Sequence, residues 1–289
     1  MANTLFSSPV LLNWGFSELV KGVFRKNDHL FVSGFRLNWW RSGSSSTSWL
    51  SPKNKDNAIV PQSTQDDTSP LPLLVLHLRR GDYEEHCHHL TKYRSTYVGM
   101  VTLPEFEERD AFVSPNPNYD TDDHIPEETS LYYAKHCFPN STQIKLRVRE
   151  VLHDYEKVLD VEDRKKPGRM WRWFRRLRWY GLTPLVKEKV KKVYIMTNGK
   201  REWLDEVKKE LMEDAKHSAY KAEWEFAWSW EDVGHSRDLI AGWEEKPVLQ
   251  LADMYVGQRA ELFIGNGVSN FEGFSVLSAD AGFFDSSPR

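Results

Sequence analysis

The sequence predicts an α/β fold built on an open parallel sheet, and three observations predict it. Residues 71–80, "LPLLVLHLRR", form a continuous apolar run bounded by proline and a polar tip. A strand buried on both faces of a parallel sheet has this pattern. After residue 140, amphipathic helical stretches alternate with short apolar runs, as right-handed crossovers between parallel strands require. Three of the runs end in polar tips: His77 to Asp82, Thr197-Asn198-Gly199, and Gly265-Asn266-Gly267-Val268-Ser269. Ligands of open parallel sheets bind beyond the C-terminal ends of the strands.

The elements follow in chain order. "FSELVKGVFRK" places Phe16, Leu19, Val20 and Val23 at helical spacing. "HLFVSGFRLNWW" predicts a strand or extended segment, with Leu30, Val32 and Phe35 apolar. Residues 42–70 are rich in Ser, Thr, Asp, Asn and Pro and predict a disordered linker. After the strand at 71, residues 83–138 carry many Pro, Asp, Glu and His. They predict an irregular insertion with one or two short helices. "STQIKLRVREVLHDYEKVLD" is a long amphipathic helix with Ile144, Val148, Val151, Leu152, Tyr155 and Leu159 apolar. "KKVYIMTNG" is a second buried strand, "REWLDEVKKELMEDA" a helix, and "AEWEFAWSWED" a third strand. "PVLQLADMYVGQRA" is a helix, "ELFIGNG" a fourth strand, and "SNFEGF" begins a last helix.

Composition narrows the function classes. The 289 residues suit one large domain or two smaller ones. Twelve Trp, 15 Phe and 11 Tyr exclude a wholly disordered chain. A formal net charge of -3 gives no general nucleic-acid signal, so a polyanion site has to be a local basic patch. No run of about 18 apolar residues predicts a transmembrane helix. "MANTLFSSPVLLNWGF" has no basic region before an apolar core, as a signal peptide would. The two cysteines, Cys87 and Cys137, each follow a histidine. Three readings stay open: one disulfide, a His/Cys zinc site, or two buried thiols.

Arg79 and Arg80 sit at the tip of the first strand. A guanidinium there can clamp a phosphate through two parallel hydrogen bonds. Alternation puts His77 and Arg79 on one face and Leu78 and Arg80 on the other. Arg79 is therefore expected to meet the ligand while Arg80 supports the loop, with Asp82 orienting one of them. A structural Arg–Asp network and an exposed Arg-Gly-Asp tripeptide are the competing readings. The Gly-Asn-Gly turn after the fourth strand enters a helix at Ser269. Its glycines and the N–H groups of Ser269, Asn270 and Phe271 suit a phosphate, while Ser269 also suits an N-cap. Asp253 is a carboxylate in a mostly apolar helix. It is expected either to accept N–H groups from a purine such as guanine or to pair with Arg259.

Together "HLRRGDYEEHC", "VYIMTNG" with "EWL" after it, and "LADMYVGQRAELFIGNGVSNF" resemble the GDP-fucose-dependent protein O-fucosyltransferase superfamily. The likeness is greatest to its fungal members with a His-x-Arg-Arg-Gly-Asp box, and it covers the chain from near residue 70 onward. It implies a Rossmann-like glycosyltransferase of GT-B type, with residues 71–289 as the nucleotide-sugar-binding domain. It implies metal-independent, inverting transfer of fucose from GDP-fucose to a Ser or Thr hydroxyl of a protein or glycan acceptor, with no cofactor. By position, Arg79 would hold the β-phosphate and stabilise the leaving GDP, His77 would lie beside the nucleotide, and Asp253 would meet the guanine edge. Ser269 and Phe271 would close on the phosphates and base. The family's "GGxNNQ"-like loop has no counterpart here, and residues 1–70 are shorter than a full N-terminal half. Family members often have an acidic pair where this chain has Thr197-Asn198-Gly199. A remnant N-terminal domain is therefore expected, with the catalytic base in the missing part, or else a nucleotide-binding module that does not catalyse transfer. The resemblance also implies the secretory pathway, where the sequon Asn140-Ser141-Thr142 would permit N-glycosylation.

The basic block at 164–180, "RKKPGRMWRWFRRLRWY", alternates Arg172, Arg175, Arg176 and Arg178 with aromatic residues. It reads as a solvated segment docking its Trp residues, as an amphipathic helix on an anionic membrane surface, or as a nucleic-acid contact.

Overall fold

The computed structural model describes residues 15–32, 70–81, 83–95, 115, 125–165, 189–218 and 227–265. The elements in chain order are α1 (Glu18–Lys26), α2 (Asp28–Phe31), β1 (Leu71–His77), α3 (Tyr83–Lys92), α4 (Glu127–Cys137), α5 (Ser141–Lys165), β2 (Lys192–Met196), α6 (Arg201–Ser218), β3 (Asp232–His235), α7 (Leu249–Gln258) and β4 (Ala260–Gly265). Short 3-10 turns lie at Ser236–Asp238 and Lys246–Val248. No helix among the described residues is long and apolar enough to cross a membrane.

The four strands form one all-parallel sheet in the order β3-β2-β1-β4. β1 lies between β2 and β4, with His77 level with Met196 on one side and Gly265 on the other. The chain steps outward from β1 through β2 to β3, then crosses back to place β4 on the far side of β1. The direction of winding therefore reverses between β1 and β4.

Both faces are covered, as the unbroken apolar character of β1 and β2 requires. Leu74, Leu76 and Leu78 pack with Val193 and Ile195 under α5 and α6. Leu71, Leu73 and Val75 pack with Tyr194 and Met196 under α1, α2 and α7. α5 and α6 join through a polar ladder at a constant separation of 65 residues. Ser141 donates to Glu206 at 3.1 Å, Lys145 to Glu210 at 2.7 Å, and Arg149 grips Asp214 with Nε and Nη2. The four-residue steps mark one stripe along each helix.

Two segments differ from the sequence expectation. The third strand, expected over 222–232, is Asp232–His235. Trp228 and Trp230 before it are buried in the α5–α6 core, and Glu231 N–H bonds Lys191 O at 2.8 Å. Trp228 and Trp230 thus fill the core at the approach to the sheet, and the shorter "DVGH" forms the ladder; residues 222–226 of the expected strand lie outside the described residues. In the segment expected to be extended, residues 28–31 are a helical turn. Leu30 and Phe31 are adjacent and both buried. A helical turn allows both to pack inward, whereas a strand would send them to opposite faces.

Among its described residues the insertion contains two helices, α3 and α4, which pack on each other around Tyr83, Leu90 and Tyr133. Cys87 and Cys137 form a disulfide, with Cα atoms 6.0 Å apart. That bond replaces the free-thiol and zinc readings, because each sulfur is the other's partner. The linker up to residue 69, Asp82, the turn beyond Gly265 with Ser269, Asn270 and Phe271, and the basic block from 166 onward lie outside the described residues.

Candidate functional site

The strand tips are tied together in sequence-remote pairs. Leu78 N–H extends the ladder to Met196 O at 2.9 Å, and Arg80 N–H bonds Asn198 Oδ1 at 2.8 Å. Gly81 follows with φ +49, and a Cβ on it would lie 3.0 Å from Asn198 Nδ2. Both the left-handed backbone and the closeness of Asn198 call for glycine in "RRGD". Thr197 N–H bonds Ser236 Oγ at 3.1 Å, so the β2 tip is tied in turn to the segment after β3. Arg237 completes this rim by donating to Asn198 O at 3.0 Å and Gly199 O at 3.3 Å.

The two arginines of the box have different surroundings. Arg80 is half-buried on the α6 side. Its guanidinium lies over the Phe138 ring at 3.9 Å and the Trp203 ring at 4.2 Å, and Nη1 donates to Pro139 O at 2.5 Å. Burial pulls its pKa below the usual arginine value, opposed by Glu84 and Glu206. Arg79 is exposed, with its guanidinium 5.1 Å from the Tyr83 ring centroid. It stands just beyond the end of β1, where His77 is level with Gly265 of β4.

His77 closes β1 with its ring 6.5 Å from that of Phe263 on β4. Burial, helped by the charge of Arg79, lowers its pKa to about 4. The imidazole is therefore neutral at pH 7, and the positive charge at this tip belongs to the arginines.

Asp253 projects from α7 toward the α7-side face of the sheet. Its Oδ1 accepts the Tyr194 hydroxyl at 2.7 Å and its Oδ2 the Ser236 hydroxyl at 2.9 Å. Burial raises its pKa to about 6 even though both hydrogen bonds favour the charged form. Arg259 donates to Tyr255 Oη at 2.8 Å and lies over the Phe24 and Tyr255 rings. Asn140 caps α5, accepting Gln143 N–H at 2.9 Å, with Gln143 Oε1 returning the bond to Asn140 N–H at 2.9 Å; the pair is a capping box.

The structure thus brings His77, Arg79 and Arg80 to the C-terminal end of the sheet, with Asp253 behind it on the α7 side. Tyr194, which reaches Asp253 from the middle of β2, and Ser236 and Arg237, which follow β3, complete the surroundings, and the sequence reading passed over them. "SRD" directly after "DVGH" is the signal that points to the last two, and it emerges once β3 is placed there.

Comparison with known proteins yields no match to a family model, to a curated protein or to a solved structure.

Proposed function

We propose that the chain binds a nucleotide-sugar, GDP-fucose, beyond the C-terminal ends of β1 and β4, and transfers fucose to a Ser or Thr hydroxyl with inversion and without a metal. In this reading the sheet is a Rossmann-like half of a GT-B glycosyltransferase, and the strand order 3-2-1-4 is the one such halves use. One observation carries the proposal. Of two adjacent arginines at the β1 tip, Arg80 turns inward between Phe138 and Trp203, while the Arg79 side chain is exposed at the C-terminal end of the sheet, where ligands of parallel sheets bind. GDP leaves carrying added negative charge, and a preorganised guanidinium at the departing oxygen lowers that barrier. Neutral His77 suits a place beside the nucleotide, where it adds no competing charge. The buried disulfide supports an oxidising compartment.

A second reading is a nucleotide-binding module without transfer, and in either reading Asp253 serves the fold. Both of its oxygens accept internal hydroxyls, so it braces α7 against the sheet. Titration calorimetry with GDP, and with GMP and ADP as controls, tests the site. Micromolar GDP binding with discrimination against ADP is expected. Arg79→Ala should weaken it about tenfold to a hundredfold, the worth of a charge-assisted phosphate contact. A folded Arg79→Ala chain that binds GDP as tightly as the parent would sink the assignment. Fucose release or transfer from GDP-fucose then separates the enzyme from the module.

A further inference from the structure

We propose that formation of the Cys87–Cys137 disulfide is the step that makes the Arg79 site competent to bind a nucleoside diphosphate. The inference rests on the nucleotide-binding reading above and deepens it.

The loop between β1 and α3 is gripped from two sides. One grip is firm. Phe138 and Pro139 hold the Arg80 side chain, and they lead directly into α5, whose first turn is fixed by the Asn140–Gln143 capping box and by the bond from Ser141 to Glu206 on α6. Ile144 and Val148 then enter the main core. The other grip is α3. Tyr83 N–H bonds Arg80 O at 2.8 Å, and the Tyr83 ring lies by the Arg79 guanidinium. α3 packs chiefly on α4, in a small cluster separate from both faces of the sheet, and two of the five buried members of that cluster are Cys87 and Cys137. Cys137 is the residue immediately before Phe138, and Cys87 is one turn along α3 from Tyr83. The disulfide therefore locks the second grip to the first, and through Tyr83 it fixes where Arg79 stands.

Both cysteines are buried, so the bond is set during folding and then retained. A small-molecule or protein disulfide supplies the oxidising equivalents by thiol–disulfide exchange. The two cysteine thiols give up two electrons and two protons to it, the new S–S bond forms, and the oxidant leaves as two thiols. Without the bond, α3 and Tyr83 sample other positions, and the competent arrangement is populated for only part of the time. Apparent affinity falls by that fraction.

The test compares one chain refolded with oxidised glutathione and the same chain refolded under reduction, both checked for folding by circular dichroism. GDP titration is expected to give binding by the oxidised chain and about tenfold weaker binding by the reduced chain. Amide exchange over residues 78–92 is expected to be faster in the reduced form, and re-oxidation should restore both. Tyr83→Leu keeps the disulfide and removes the ring, and it too should weaken GDP, with Tyr83→Phe weakening it less. Equal affinity and equal exchange in the two redox forms, or a Tyr83→Leu chain that binds like the parent, would overturn this inference while leaving the nucleotide site standing. Failure of the oxidised chain to bind GDP would overturn the nucleotide reading and this inference with it.

Discussion

Asp253 and His77 lie close to the same strand tips and respond to pH in opposite senses. Asp253 has its pKa raised from 3.8 to about 6 by burial. Between those values the folded chain keeps a proton that the unfolded chain has released, so stability falls as pH rises through that window and is level above it. His77 has its pKa lowered from 6.5 to about 4, by burial and then by Arg79. Between those values the unfolded chain takes up a proton that the folded chain refuses, so this contribution falls as pH drops. The two windows overlap, and the parent's own profile conceals both effects. Single variants separate them. The stability of Asp253→Asn minus that of the parent should rise from pH 4 to pH 6, by roughly 1–3 kcal/mol. The same difference for His77→Gln should rise as pH falls from 6.5 to 4. Urea midpoints at half-unit steps of pH decide it, and a flat difference for either variant would remove that residue from the account.

Between elements, the α5–α6 ladder contains one buried ion pair and one more exposed ion pair. The Arg149 and Asp214 side chains are 12% and 6% exposed, against 24% and 32% for Lys145 and Glu210. Removing one partner of a buried pair strands the other charge, so Arg149→Ala should cost about 3–5 kcal/mol, whereas Lys145→Ala should cost less than about 1 kcal/mol. Replacing both members, Arg149→Met with Asp214→Leu, should recover most of the loss. Chemical denaturation of the three variants checks the order, and a double variant no better than Arg149→Ala would show that packing, not the stranded charge, sets the cost. These helices were legible in the sequence because their apolar spacing is regular over many turns, and β1 and β2 because a doubly covered strand has no polar face. β3 was not, because Trp228 and Trp230 carry strand-like composition while serving as core filler, and the four residues that pair include Gly234 and His235. At the site, Arg79 and Arg80 could be sorted by alternation along β1. The partners of Asp253 could not, since Tyr194 and Ser236 lie 59 and 17 residues away and no local pattern links them.

On the scale of the whole molecule, the α7 face of the sheet depends on a segment from the start of the chain. The crossover that carries α7 lies over β1 and β4, and α1 and α2 complete the layer beside it. Phe24 and Phe31 stack at 5.2 Å, Phe31 meets the Tyr194 ring edge-on at 4.9 Å, and Phe24 meets Tyr255 of α7 at 5.2 Å. Leu30 lies over Gly234, where a Cβ would approach its Cδ2 to 3.2 Å, so β3 presents a bare backbone for α2 to rest on. Asn27, fully buried, clips this segment to the loop after β3. Its Nδ2 donates to Ile240 O at 3.0 Å, and its Oδ1 accepts Ile240 N–H at 2.7 Å. Val20, Val23, Phe24, Leu30 and Phe31 each bury a side chain worth about 1.5–3 kcal/mol. Their sum is comparable with the whole stability of an ordinary domain, about 5–15 kcal/mol. A chain beginning at residue 33 should therefore fail to fold, although residues 71–265 supply all four described strands. Phe31→Ala in the full chain should cost about 3–5 kcal/mol and remain folded. Near-ultraviolet circular dichroism and urea unfolding measure both. The same truncation should abolish GDP binding, because Tyr194 and Ser236 hold the β2 and β3 tips only while the layer above them is in place. A truncated chain that keeps a cooperative transition would show that the sheet and its α5–α6 side are self-sufficient, with α1 and α2 an addition to a core already complete.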